Sequence, residues 1–317
     1  MNVFRPVTPN RDTMTDYAPP GASFLGFRYV PAEHRLLHSF LCNKLVLSAC
    51  VMFVLLIVCA VFADWIVPVD PLEQTLSARL TPPIWAEEGM IPYYLGTDRL
   101  GRDILSNIIY GLRISLLVGF LSVGFSLLIG LSLGLIAGYA RGFWGTFIMR
   151  AVDIQLSLPL ILVAMCFMVI FGPGLGKMIL VLAIAGWAEY ARTIRGMALS
   201  IREKEYVEAA HALGFGPVTI MIKCYLLNSI TPVIILAAVQ VPRVIILEAV
   251  LSFLGVGVPA TTPSFGLAIA RGYQVLFSGS WWASIFPGLA LMFLVACINI
   301  VADWLRDALE PRSREQV

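Results

Sequence analysis

Residues 200–228, SIREKEYVEAAHALGFGPVTIMIKCYLLN, interrupt a chain otherwise dominated by long apolar runs. Their first half is charged and helix-prone, with Arg202, Glu203, Lys204, Glu205 and Glu208 set among Ala209, Ala210, Ala212 and Leu213. Gly214 stands where a helix C′ residue takes a left-handed conformation. Gly216-Pro217 then stops that helix and opens another, because proline suits the first helical turn. The pattern predicts a short polar helix, a sharp turn, and an apolar helix feeding back toward lipid. On either side, from Met178 to Ala188 and onward from Asn228, the chain is apolar. A charged helix between two such runs belongs at a membrane surface.

Composition agrees. Of 317 residues 59% are hydrophobic and 13% charged, with a mean hydropathy of +0.84. Soluble domains carry about 45–50% apolar and about 25% charged residues, so a water-soluble fold is excluded. The net charge of +2 and the lack of any basic cluster give no footing for nucleic acid. Six cysteines, without CxxC or metal-like spacing, read as small buried hydrophobes, and no metal or cofactor is expected in this chain.

A span needs roughly 20 apolar residues. Uncharged runs between Lys44 and Asp64, Arg113 and Arg141, and Asp153 and Lys177 supply three. A fourth begins at Met178 and is expected to end among Glu189, Arg192 and Arg195. A fifth starts near Asn228, and a sixth runs from about Ser284 to Asp303. A short re-entrant piece is allowed around Leu251 to Gly257. The expected fold is an all-α membrane protein of six transmembrane helices. It has a tail (1–43), a first span (44–67), an extracytoplasmic segment (68–107), a five-helix core (108–306) holding the loop 200–227, and a second tail (307–317). With the N-terminus inside, fifteen Lys and Arg fall on inner segments against five on outer ones. The positive-inside rule therefore places both termini in the cytoplasm. The first run is longer than a signal-peptide core and has a long leader before it, so it reads as a span.

Chemistry-bearing motifs are scarce. No G-x-x-x-x-G-K-[ST] occurs: Gly176-Lys177 is followed by Met178, and Phe171 stands where the first glycine would be. The Gly130–Gly134 match to GxSxG lies inside a span, where no nucleophile elbow can form. Gly130, Gly134 and Gly138 read as a helix-packing face. Asp64, Asp153, Glu189 and Asp303 fall near predicted span ends, where snorkelling or capping accounts for them. Arg243 and Glu248, five apart, are poorly placed to face each other on one helix. His34, His38 and His211 have no partner at metal spacing, and Trp281-Trp282 suit an interfacial aromatic belt. No catalytic residue is assigned, and substrate contacts are unknown.

Glu208-Ala209-Ala210 followed by Gly214 resembles the "EAA" loop of permease subunits in bacterial binding-protein-dependent ABC importers. Leu95-Gly96-Thr97-Asp98-Arg99-Leu100-Gly101-Arg102-Asp103, with the following Tyr110–Leu116, resembles the signature of the second permease in oligopeptide, dipeptide and nickel systems. Glu248–Gly257 and Leu305–Pro311 match further family segments in the same order. The resemblance implies a type I ABC importer fold in the bacterial inner membrane, with residues 200–213 acting as a coupling helix. It implies ATPase docking on Tyr206, Glu208, Ala209, Ala210, Leu213 and Gly214. The implied partners are a homologous permease, two cytoplasmic ATPase subunits that hold the nucleotide, and an extracytoplasmic binding protein. The implied cargo is di- or oligopeptide, with nickel or a metallophore as the alternative within the family. A secondary carrier without an ATPase is the alternative outside it. One departure stands out: the family's loop commonly ends in Leu-Pro, whereas Leu226 here precedes Leu227.

Overall fold

Ser122, Ser126, Gly130, Gly134 and Gly138 recur at every fourth position of one long helix, and that stripe organises the molecule. The computed structural model describes residues 43–140 and 142–309. Among these the elements are α1 (Lys44–Val61), α2 (Ile104–Tyr139), α3 (Phe143–Leu156), α4 (Leu160–Phe171), α5 (Leu175–Arg202), α6 (Glu205–Ala212), α7 (Pro217–Phe253), α8 (Phe265–Tyr273) and α9 (Trp282–Leu309). No strand occurs among the described residues; one isolated bridge joins Thr97 and Asp103. Of the expected tails, residues 1–42 and 310–317 lie outside the described residues, while Asp307–Leu309 belong to α9 rather than to a tail.

α2 packs most extensively against α5. Ser122 Oγ donates to the Ile179 carbonyl at 3.4 Å and Ser126 Oγ to that of Ala183 at 3.0 Å. A Cβ added to Gly130 would stand 2.6 Å from the Trp187 carbonyl oxygen, and one on Gly134 2.8 Å from that of Ala191. One on Gly138 would meet the Ala198 Cβ at 2.5 Å. Partners advance together along both helices, so α2 and α5 run parallel with their backbones nearly touching. This is the packing reading of the glycines, extended by two serines that the GxxxG pattern does not include.

Parallel neighbours require the intervening chain to cross back. α3 and α4 do so as a broken pair, meeting at 92° across Ser157–Pro159. Proline lacks the N–H that would continue α3's ladder. The expected third span, between Asp153 and Lys177, thus holds the end of α3, a break, and the 12-residue α4.

Four helices, α1, α2, α7 and α9, are long and apolar enough to cross a membrane, and five if the bent pair is one span. The expected six is not reached on that criterion, and α5 is the reason. Rather than stopping among Glu189, Arg192 and Arg195, it runs unbroken to Arg202 beside α2. Its charges have neighbours: Arg192 pairs with Asp153 at 2.7 Å, Arg195 Nε donates to the Ala137 carbonyl at 3.4 Å, and Gln240 donates to Glu189. α9 starts at Trp282 and continues through Pro287. At Leu251–Gly257 α7 ends instead of re-entering: Gly255 N–H bonds the Ser252 carbonyl at 3.1 Å and Val256 N–H that of Leu251 at 3.1 Å, a glycine C-cap.

The seam predicts a contrast between two glycines of α2. Gly134→Ala forces its methyl against backbone and should cost about 1–3 kcal/mol. Gly124→Ala meets nothing within 4 Å and should stay within about 1 kcal/mol of the parent, on the stabilising side. Thermal unfolding of the two purified variants in detergent reads the difference. Equal midpoints would refute the close approach.

Candidate functional site

The polar stretch forms a helix shorter than expected. α5 ends at Arg202, Glu203 and Lys204 turn the chain, and α6 spans only Glu205–Ala212. A single rigid helix over 200–213 is therefore corrected to two helices broken at that turn. Two of α6's residues face inward: Val207 and Ala210 are buried in the core shared with Ile194 and Ala198 of α5 and Ile220 and Tyr225 of α7. Burying one Val and one Ala is a small anchor, worth roughly 2 kcal/mol at most on the usual side-chain scale. The helix end supplies the rest. Gly214, at φ +77°, donates to the His211 carbonyl at 3.0 Å, and Phe215 N–H reaches back to Ala210 at 3.1 Å. These are the two bonds of a Schellman motif, so the expected left-handed glycine is present. From the end of α2, Tyr139 stacks on His211 with ring centroids 6.2 Å apart and leans on Tyr225 at 6.3 Å.

What remains of α6 is open. Tyr206, Glu208, Ala209, Leu213 and Gly214 are exposed, Leu213 at 74%. Of the six residues read from sequence, Ala210 alone points into the core. The outer surface also includes Phe215 and Val218, which the sequence reading absorbed into the turn and the following span. For Phe215 the signal was available: it is apolar and directly follows the helix-ending Gly214. The result is an apolar patch with an acidic helix at its edge, the kind of exposed surface that marks a protein contact.

The lead-in to α7 stays helical despite the missing proline. Met221–Leu226 form a π-helical turn, Leu227 continues in helical geometry, and Asn228 Nδ2 bonds the Cys224 carbonyl at 2.7 Å. Deeper in α7, Glu248 is fully buried and accepts from Ser115 Oγ of α2 at 2.8 Å and from Ser252 Oγ at 2.9 Å. Arg243 is exposed on another face, consistent with the spacing argument. Asp64 pairs with Arg113 at 3.1 Å and accepts from Tyr110. These carboxylates are tied to separate local donors.

At the opposite end of α2 lies the loop 95–103. Asp98 Oδ1 accepts from Leu100 N–H at 2.7 Å and Arg102 N–H at 3.0 Å, while Asp103 caps α2 through Ser106 N–H at 2.8 Å. Burial pushes the Asp103 carboxyl above the ordinary range, against the opposing pull of the Ser106 bonds. Gly101 needs its positive φ of +73° and leaves no room for a side chain, whose Cβ would stand 2.0 Å from the Thr75 carbonyl oxygen. Trp282 Nε1 donates to the Thr97 carbonyl at 3.4 Å, which ties this tryptophan to the loop. A helix of 36 residues, about 54 Å long at 1.5 Å per residue, separates this loop from α6.

Residues 130–315 match the sequence profile of the family described as binding-protein-dependent transport system inner membrane component. Residues 34–83 match the N-terminal TM domain of oligopeptide transport permease C. The di/tripeptide transport system permease protein DppC of Pseudomonas aeruginosa is 41% identical over 86% of this chain and 90% of its own length. The dipeptide transport system permease protein DppC of Escherichia coli K12 is 40% identical over 88% and 92%. A probable D,D-dipeptide transport system permease protein of the same organism is 32% identical over 86% and 89%. In fold, the chain is similar to a chain of the MetNI methionine ABC transporter in an inward-facing conformation. The TM-score is 0.50 at 22% identity, covering 64% of this chain and 96% of that one.

Two outcomes follow from the geometry. Gly214→Ala meets no neighbour and pays only for left-handed backbone, about 1–2 kcal/mol; amide exchange across 205–215 should quicken while that of α2 stays unchanged. Glu248→Ala strands two buried hydroxyls and should cost about 1–3 kcal/mol, whereas Glu248→Gln keeps an acceptor and loses less. Thermal melts of the pair would contradict this if Gln proved the worse.

Proposed function

Because this chain belongs to the family of binding-protein-dependent transport system inner membrane components, we propose that it is the permease subunit of an ATP-driven importer of di- or oligopeptides. Membership makes it a multi-pass inner-membrane transport component that works with an ATPase and a substrate-binding protein. The finer assembly is part of the proposal. A homologous permease lines the other half of the path, two ATPase subunits sit beneath the pair, and both termini face the cytoplasm. Nucleotide chemistry belongs to those ATPase subunits, and this chain transmits their motion.

The observation that carries the proposal is α6: a short helix rooted in the bundle by Val207 and Ala210, with Tyr206, Glu208, Leu213, Phe215 and Val218 left open. Such a helix serves as a handle. A partner that grips its outer face pulls on a core shared with α2, α5 and α7. Closure of an ATPase dimer would then move these helices as one body and change which side of the membrane the path opens to. Peptide is favoured over nickel because the similar permeases carry dipeptide or di/tripeptide in their names.

Glu208→Lys and Leu213→Asp alter the outer face without touching Val207 or Ala210. Both variants should insert normally, yet lose substrate-dependent ATPase activity in the reconstituted complex by tenfold or more. Full coupling in both would remove α6 from the docking role. Deleting the gene should abolish growth on dipeptides as sole source of an essential amino acid and leave uptake of labelled nickel unchanged. The reverse pattern would select the metal reading.

A further inference from the structure

Four arginines gather at the end of the bundle remote from α6. Arg79, Arg99 and Arg271, with Gln274, Leu76 and Leu100, line a cavity of about 300 Å³. Arg102, near enough to Arg271 to repel it, is 6% exposed, its Nε buried without a hydrogen-bond partner. Among the described residues, no carboxylate comes within ion-pairing distance of any of the four; the ion pairs are Arg113–Asp64 and Arg192–Asp153. Asp98, the acid that lines the adjoining hollow, spends Oδ1 on the backbone of its own loop. Arg99 is aimed by Gln274, and Arg271 Nη2 by the Ala260 carbonyl at 2.6 Å. Burial lowers the Arg271 pKa from its ordinary value, and Arg102 pushes in the same direction while Asp98 opposes. Cations gathered with Asp98 as the acid opposing them raise one another's energy, and an incoming anion relieves the cost.

We infer that this cavity receives a carboxylate side chain of the extracytoplasmic substrate-binding protein when that protein docks. The inference rests on the importer reading and adds the residues and charge of the docking contact. A protein-borne carboxylate fits better than the cargo's own. The lining comes from residues 76–79, 99–100 and 271–274, all outside the long apolar helices among which a path must run. Guanidinium forks match carboxylates in bidentate geometry. Beyond the cavity the surface is aromatic: Tyr273 and Trp281 are exposed and Phe277 is 88% so. Arg, Tyr and Trp are the residue types enriched at the energetic centres of protein interfaces.

The test uses the complete complex in lipid nanodiscs with its own binding protein. Arg79 and Arg99 are exposed, so Arg79→Glu and Arg99→Glu are the charge reversals, with Arg79→Lys keeping the charge but losing the fork. Each reversal should raise the binding-protein concentration that half-saturates ATPase stimulation by on the order of tenfold at low salt, and by less at high salt. The rate at saturation should be retained, and Arg79→Lys should fall between the parent and Arg79→Glu. Unchanged half-saturation in both reversals would overturn the inference. So would a shift in peptide KM alone that vanishes with C-amidated dipeptides, because the cavity would then serve the cargo's carboxylate. If the unmodified complex failed to respond to binding protein at all, the importer reading itself would fall.

Discussion

The close approach of α2 and α5 is the constraint from which the rest of the bundle follows. In lipid, helices gain little from hiding apolar surface from one another, so packing and a few hydrogen bonds must hold them. Ser122, Ser126, Gly130, Gly134 and Gly138 remove side-chain bulk along one stripe and let α5's carbonyls sit against α2's backbone. Two further features are then dictated. Since the two helices point the same way, the chain between them must return, and Pro159 breaks that return into α3 and α4. Since α5 is held by contact rather than by its own greasiness, it can carry Glu189, Arg192 and Arg195 along a helix that composition alone would end.

The distribution of polar groups follows from the same seam. Where helices touch, Glu248 is satisfied locally between Ser115 and Ser252, whereas the buried Tyr190 hydroxyl has no hydrogen-bond partner. Charged and unsatisfied surface is displaced to the two ends. One end has α6 with its Schellman turn and exposed apolar patch. The other has the loop 95–103, knotted by Asp98 and Asp103 and pinned by Trp282. Both ends are built rigidly, and both leave a face open. A subunit gripped on two sides of a membrane, as proposed above, would need that combination.

Most of this was legible where local chemistry acts alone. Gly214 after an alanine-rich acidic helix predicts its own left-handed turn, and Gly216-Pro217 predicts the start of the next helix, because both depend only on backbone preference. The glycine repeat predicts a packing face for the same reason. What stayed hidden depends on partners distant in sequence. Nothing near Arg192 announces Asp153, nothing near Glu189 announces Gln240, and so α5 was expected to stop too early. Ala210 resembles Ala209 in every local respect, yet the turn at Glu203–Lys204 sets the rotation of α6 and sends one inward and the other out. The Trp282 contact with the Thr97 carbonyl, 185 positions away, has no local signal either.

The unbroken length of α2 has a mechanical consequence. A rod of 36 residues touches the Asp103 cap at one end and, through Tyr139, the His211 ring at the other. Tilting such a rod by about 5° about one end sweeps the far end through roughly 5 Å for its length of about 54 Å. Small angular adjustments at the α6 end are thereby magnified into displacements comparable to an amino-acid side chain at the end that holds the loop 95–103.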